Sequence, residues 1–206
     1  CAAMLLSAQS PPPAIEYRLT PLLSGGALRA VQIDLRFTGE ADGETALRLP
    51  DAWGGREQLW RAIDNLHVVS GARLREGAGP AQRVLTHSPG AAIHVRYRIV
   101  QDYEGPPSAR EGNAYRAVVQ PDYFHLIGEA AIVTPEGTDR ASPVRFSVRG
   151  LPRGWSFASD LEHRGLTLGD LWSSISVGGD FRVLEAGAPN LRVAIRGEWT
   201  FSDPAL

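Results

Sequence analysis

The strongest constraint in this sequence is a period of two. In LRAVQIDLRF, residues 28–37, the apolar Val31, Ile33, Leu35 and Phe37 alternate with Gln32, Asp34 and Arg36. Successive side chains of an extended chain point to opposite sides, so such a run makes a strand with one apolar and one polar face, suited to a half-buried antiparallel sheet. AIHVRYRIV repeats the pattern with Ile93, Val95, Tyr97 and Ile99 against His94, Arg96 and Arg98. PVRFSVRG does so with Val144, Phe146 and Val148, and LRVAIRGEWTF with Leu191, Val193, Ile195, Trp199 and Phe201. Weaker runs at 16–20, 45–49, 66–72, 82–86, 115–119, 130–133 and 180–185 fill the intervals. Gly- and Pro-rich turns such as LSGG, EGAGP, SPG and TPEG separate them. The pattern predicts an all-β chain, an antiparallel β-sandwich with one or two short helices.

Three stretches depart from the strand rhythm. Residues 56–66 space Leu59, Ile63 and Leu66 for a short helix, and residues 167–174 do the same with Leu168, Leu171 and Trp172 inward. At the end, SDPAL places Ser202 or Asp203 as a helix N-cap with Pro204 at the first helical position. The expected organisation is a segment 1–14 serving export or tethering, a β-sandwich over 15–201, and at 202–206 the start of a helix leading to a downstream domain. The first segment, CAAMLLSAQSPPP, starts at the sole cysteine, and a short apolar run, small residues and three prolines follow. It reads either as the tail of a signal peptide or as a lipid-modified Cys1 with a flexible tether, both of which predict export to the periplasm or the outer membrane. A cytoplasmic protein cut at this point is the remaining alternative.

Composition narrows the partners. A formal net charge of −2, with no cluster among 21 basic residues that are all Arg, argues against nucleic acid. No window approaches the roughly 18 apolar residues of a spanning helix, so a membrane enters only through lipidation at Cys1. Chemistry-bearing motifs are missing. The histidines His67, His87, His94, His125 and His163 are dispersed singly, without an H-E-x-x-H or a paired cysteine, so no metal site and no catalytic group is assigned to this chain. His125 and Glu129 stand four apart, but their segment reads as strand and turn, and Glu162 with His163 reads as loop. His94 reads as a solvated side chain on a polar strand face. The GG pairs at Gly25, Gly54 and Gly178 lack the context of a phosphate loop. Arg96, Arg98, Arg145, Arg149, Arg192 and Arg196 lie on outward strand faces, which reads as a solvated surface mixed with acids rather than an anion groove.

One stretch, RLPDAWGGREQLWRAIDNLHVVSG, brings a Pro, a Trp and two Gly into the strand rhythm at a crossover. In it, Leu47, Pro50, Trp53, Gly55, Arg61 and Leu66 are arranged similarly to the L-x-x-P-x-W-x-P-G-S-Y motif region of the glycyl-aminopeptidase family. AAIHVRYRIVQDY resembles that family's V-x-Y-x-V-Y strand. Phe124, Gly128, Ile132, Pro135 and Gly137 resemble its F-x-N-G-x-x-L-F-L-x-P-E-G segment. Pro152, Gly154, Trp155, Ala158 and Leu161 resemble its P-x-G-W-x-V-A-T-x-L, and Asp170, Leu171, Ser174, Gly179 and Phe181 the stretch that follows. The chain thus resembles, from about Tyr17 to Phe201, the N-terminal domain of these bacterial gluzincin peptidases, which join a β-sandwich to a thermolysin-like catalytic domain and a PDZ domain. It departs from them where Pro-Gly-Ser-Tyr is replaced by Gly54, Gly55, Arg56 and Glu57.

The resemblance implies a non-catalytic domain that packs against a zinc aminopeptidase domain of the same polypeptide and shapes the cleft for a peptide substrate. It implies zinc in that downstream domain, with no cofactor in this chain. Pro50, Trp53, Gly54, Gly55 and Arg61 are the candidate interdomain or cleft-lining residues. Gly128, Pro135, Gly137, Gly154, Trp155 and Gly179 are implied as structural motif positions. The rival readings are a free-standing exported module binding carbohydrate or protein, for which Trp53, Trp60, Trp155, Trp172 and Trp199 would supply stacking surfaces, and a structural lipoprotein domain. Core packing is the expected role for at least three of these five tryptophans.

Overall fold

The computed structural model describes residues 15–186 and 191–198. Cys1 and the segment 1–14, Trp199, Phe201 and the helix start expected at 202–206 lie outside the described residues. Strands follow the alternation. They are β1 (Ile15–Ser24), β2 (Ala27–Thr38), β3 (Glu44–Arg48), β4 (Ile63–Ser70), β5 (Arg73–Glu76), β6 (Gln82–Thr86) and β7 (Ala92–Ile99). After these come β8 (Val118–Gln120), β9 (Tyr123–Ile127), β10 (Thr134–Pro135), β11 (Val144–Val148), β12 (Ser156–Ser159), β13 (Ile175–Gly179), β14 (Arg182–Ala186) and β15 (Leu191–Ile195). Two short α-helices, α1 (Gly128–Ala131) and α2 (Leu168–Ser173), complete the elements with two 3-10 turns. The all-β reading holds, and no helix among the described residues is long and apolar enough to cross a membrane.

A five-stranded sheet in the order β11-β1-β2-β7-β4 carries the strongest runs. Two four-stranded sheets, β10-β3-β6-β5 and β12-β13-β9-β8, and the β14-β15 hairpin make up the rest. Pairing is antiparallel except for β1 with β11, where Ile15 lies opposite Val144 in a parallel register. In the five-stranded sheet the apolar rows meet in register: Leu19, Ile33 and Tyr97 in one, and Tyr17, Leu35 and Val95 in the next. Leu47 and Leu85 from the second sheet and Phe124 and Leu126 from the third join the same buried cluster, so the sheets share one core. Inside it Tyr17 and Tyr97, both fully buried, hold one residue from two sides. The Tyr17 hydroxyl donates to the Val133 carbonyl at 3.0 Å, and the Val133 N–H donates to the Tyr97 hydroxyl at 3.2 Å. Burial raises both phenols well above the ordinary range.

Two expected elements differ. The helix expected over 56–66 is only a 3-10 turn, Leu59–Ala62, followed at once by β4. Gln58 precedes the turn in a left-handed conformation, at φ 55°, and offers no side-chain cap. Residues 63–70, with β-branched Ile63, Val68 and Val69, instead pair along β7, so tertiary pairing overrides a three-residue apolar spacing. Near 130–133, where a strand was expected, α1 forms because Gly128, Ala130 and Ala131 are small enough to be buried against α2. The helix expected over 167–174 is α2. Its Thr167 and Asp170 form a reciprocal capping box, and those hydrogen bonds hold the Asp170 carboxyl below its usual range.

His94 is not solvated. It is buried on the outer side of the five-stranded sheet, and its Nε2 stands 2.6 Å from Asp34 Oδ1. Arg36 reaches its Nδ1 at 3.3 Å, which makes that nitrogen the acceptor and leaves Nε2 to donate to the carboxylate. Arg96 donates to the same Asp34 oxygen at 2.9 Å, and Gln32 to the other at 3.2 Å. Burial alone would raise the Asp34 carboxyl. The hydrogen bonds from Arg96, His94 and Gln32 outweigh it and hold the group below the ordinary range.

Candidate functional site

The crossover that interrupts the strand rhythm forms a compact knob. After β3 the chain buries Pro50, then turns back on itself between Trp53 and Arg56, each backbone N–H meeting the other's carbonyl at 2.9 Å. The two residues at the tip, Gly54 and Gly55, have φ of 58° and 72°. This turn needs left-handed backbone twice, and two glycines adopt it without the penalty a Cβ would impose. Trp53 lies half-buried against Leu59, Ile127 and Ala130, a small cluster separate from the main core. Its ring meets Tyr115 edge-on, with centroids 5.9 Å apart. Gly54, Gly55 and Arg61 are exposed. Four of the five candidate residues therefore lie in or beside one surface knob, with Pro50 as its buried root.

The loop over 100–116 braces this knob. Arg116 donates to the Glu57 carbonyl at 2.7 Å and to Asp102 Oδ2 at 2.6 Å. The Arg56 guanidinium packs onto Gly112, where an added Cβ would fall 1.8 Å from its nitrogen. Gln101 and Gln120 tie the loop to β8 and to the Gly105 carbonyl. Burial, with the nearby Tyr123 and Asp102, pushes the Tyr103 phenol up to about 12. Nothing in the sequence pattern announced this brace, because its members come from two turn-rich loops with no periodicity.

On its other side the same loop contributes Pro107 and Ala114 to a cleft of about 1290 Å³. The floor is the outer face of the sheet β12-β13-β9-β8, where Val118, His125, Val177 and Ala158 stand side by side in register. The β14-β15 hairpin forms the opposite wall with Leu191, Arg192, Ala194 and Arg196. Arg192 pairs with Glu162, and Arg196 pairs with Asp122 and, at 2.6 Å, with Asp180. The Arg196 guanidinium also covers the Tyr123 ring at 4.1 Å from its centroid. His125 is half-buried on the floor, and burial lowers its pKa, so it is neutral at neutral pH. Glu129, four residues on, pairs with Arg140 at 3.7 Å instead. Glu162 and His163, read as loop, line the rim.

Other sequence candidates have structural placements. Pro135 is buried opposite Leu47, and Gly137 and Gly154 occupy turns. A Cβ on Gly128 would fall 1.9 Å from the Leu171 carbonyl oxygen, where α1 meets α2. Gly179 ends β13 beside Asp122. Trp60, Trp155 and Trp172 pack against the main core, which is the packing role expected of at least three tryptophans. Trp172 is also covered by Arg48 and Arg140, at 4.4 and 4.9 Å. Of the six outward arginines, Arg96 serves Asp34, while Arg192 and Arg196 hold the hairpin. Among the described residues, no group of three or more His, Cys, Asp or Glu side chains is placed to hold a metal ion.

No protein-family model and no curated protein matches the sequence. A solved structure does: the aminopeptidase N family protein from Idiomarina loihiensis superposes with a TM-score of 0.66 over 87% of this chain and 32% of that one. The two share a fold. They are 15% identical, so the likeness is one of architecture, and this chain spans about a third of the Idiomarina protein's length. The M1 zinc metallopeptidase from Deinococcus radiodurans aligns with a TM-score of 0.45 at 15% identity, over 88% of this chain and 46% of that one.

Proposed function

We infer that this chain is the non-catalytic N-terminal β-domain of an exported zinc metallo-aminopeptidase, packed against the catalytic domain of the same polypeptide and shaping its substrate cleft. The observation that carries this reading is the fold shared with the Idiomarina aminopeptidase N family protein over 87% of the chain. The ordered motif resemblance from about Tyr17 to Phe201 agrees with it. Such a division of labour is physically reasonable, since holding a peptide against a zinc centre needs rigid walls rather than a second reactive group. The reaction in the whole protein is hydrolysis of an N-terminal residue from a peptide, with zinc held by the downstream domain. The face offered to that domain is the knob of Trp53, Gly54, Gly55 and Arg61.

Two variants of the full-length protein test the placement. Arg61→Glu changes an exposed side chain, so it should leave the melting temperature within about 2 °C of wild type and lower peptide hydrolysis. Trp53→Ala should cost up to about 3 kcal/mol of stability and lower specific activity as well. Lost stability with unchanged specific activity in Trp53→Ala, together with full activity in Arg61→Glu, would mean that the knob only plugs one end of the fold.

A further inference from the structure

We propose that the cleft between the β12-β13-β9-β8 sheet and the β14-β15 hairpin is a binding site for a non-acidic, lipid-like molecule that carries a single hydrogen-bonding head group. Apolar ligands require a concave apolar wall, and the lining supplies one through Val118, Val177, Ala158, Phe181, Ile175 and Leu191. Ile175 and Leu191 stand on opposite walls and are 50% and 52% exposed, the two most exposed large hydrophobics among the described residues. A cleft of about 1290 Å³ lies above the roughly 300–1,000 Å³ typical of drug-sized ligands, room enough for a long chain or a fused ring system.

The polar groups define the head group. His125 sits mid-floor, and neither of its ring nitrogens bonds to another described residue, whereas His67, His87, His94 and His163 each have a bonded ring nitrogen. A neutral imidazole has one donor and one acceptor, which suits one hydroxyl or one amide. The arginines around the cleft already face carboxylates. Arg192 faces Glu162, Arg196 faces Asp122 and Asp180, and Asp160 accepts from the Ile175 N–H and the Ser159 hydroxyl. An acidic head group would find only arginines that already face carboxylates and would pay desolvation, so the site rejects acids. An extended peptide fits less well, because the floor strands already pair with each other and one histidine cannot satisfy a row of backbone groups.

Titration of the 206-residue chain with Nile red, a neutral apolar fluorophore, should give saturable one-site binding with a blue-shifted emission. 1-Octanol should displace the dye at lower concentration than octane. Ala158→Trp, which fills the floor, should weaken the dye at least tenfold with an unchanged circular dichroism spectrum, and Val177→Phe serves the same purpose where Ala158→Trp does not fold. His125→Leu should keep dye binding but weaken octanol about three- to tenfold, the value of one hydrogen bond. The proposal is overturned by non-saturable dye uptake on the folded chain, or by binding that neither floor variant changes. Octanoate outcompeting octanol would also overturn it. So would octane matching octanol in wild type and His125→Leu alike, which would leave a plain apolar surface of the kind a protein partner covers.

Discussion

At the scale of single residues, stability rests on polar groups the alternation pattern hides. Val133 has its N–H and its carbonyl held by Tyr97 and Tyr17, and a buried backbone group left without a partner costs about 1–3 kcal/mol. Tyr17→Phe should therefore destabilise the chain by that amount in urea denaturation. The alternation correctly assigned both tyrosines to the apolar side, but it cannot say that their hydroxyls reach another segment more than thirty-five residues away. The same limit explains His94. A period of two places it on the polar face, yet that face is crowded by Asp34, Arg36 and Arg96, and the cluster buries it. The Asp34 carboxyl is held low, so its contribution is present above the ordinary carboxylate range and is lost as pH falls through its own depressed pKa. Asp34→Asn should lower stability at pH 7 by about 1–3 kcal/mol and flatten the loss of stability as pH falls below the ordinary carboxylate range. An acid limb identical to wild type would rule out this role for the carboxylate.

At the scale of elements, close approach and turn geometry decide what substitutions the fold accepts. Gly128 brings α1 against the backbone of α2, with its N–H bonded to the Ser174 carbonyl at 2.9 Å. Because the obstructing atom is a carbonyl oxygen and cannot rotate away, Gly128→Ala should destabilise by about 1–3 kcal/mol or more through forced separation, read as a fall in melting temperature. Gly54→Ala should cost about 1 kcal/mol through its left-handed backbone alone. The strongest strands were legible because each presents at least three alternating apolar residues; β11, with Val144, Phe146 and Val148, falls where the pattern put it. The short helix expected at 56–66 was not legible as a 3-10 turn followed by a strand, because the outcome depends on the edge that β7 leaves open, which no local window contains. β5, β12 and β13 are short or interrupted by serine and glycine and carry too weak an alternation to stand out.

At the scale of the whole molecule, the spaced Gly, Pro and Trp motifs lead to the expectation of a β-sandwich, and the fold shared with the Idiomarina protein agrees with it. The knob was legible because a tryptophan and two adjacent glycines interrupt the strand alternation there. The His125 cleft was not, since its floor is assembled from four strands scattered between residues 118 and 177. The most direct test of the central claim is zinc content together with glycyl-p-nitroanilide hydrolysis, measured side by side for the full-length polypeptide and for the 206-residue chain. The account predicts about one zinc per full-length molecule, hydrolysis abolished by chelation, and neither zinc nor hydrolysis in the chain alone. A full-length product without zinc or without aminopeptidase activity would contradict it.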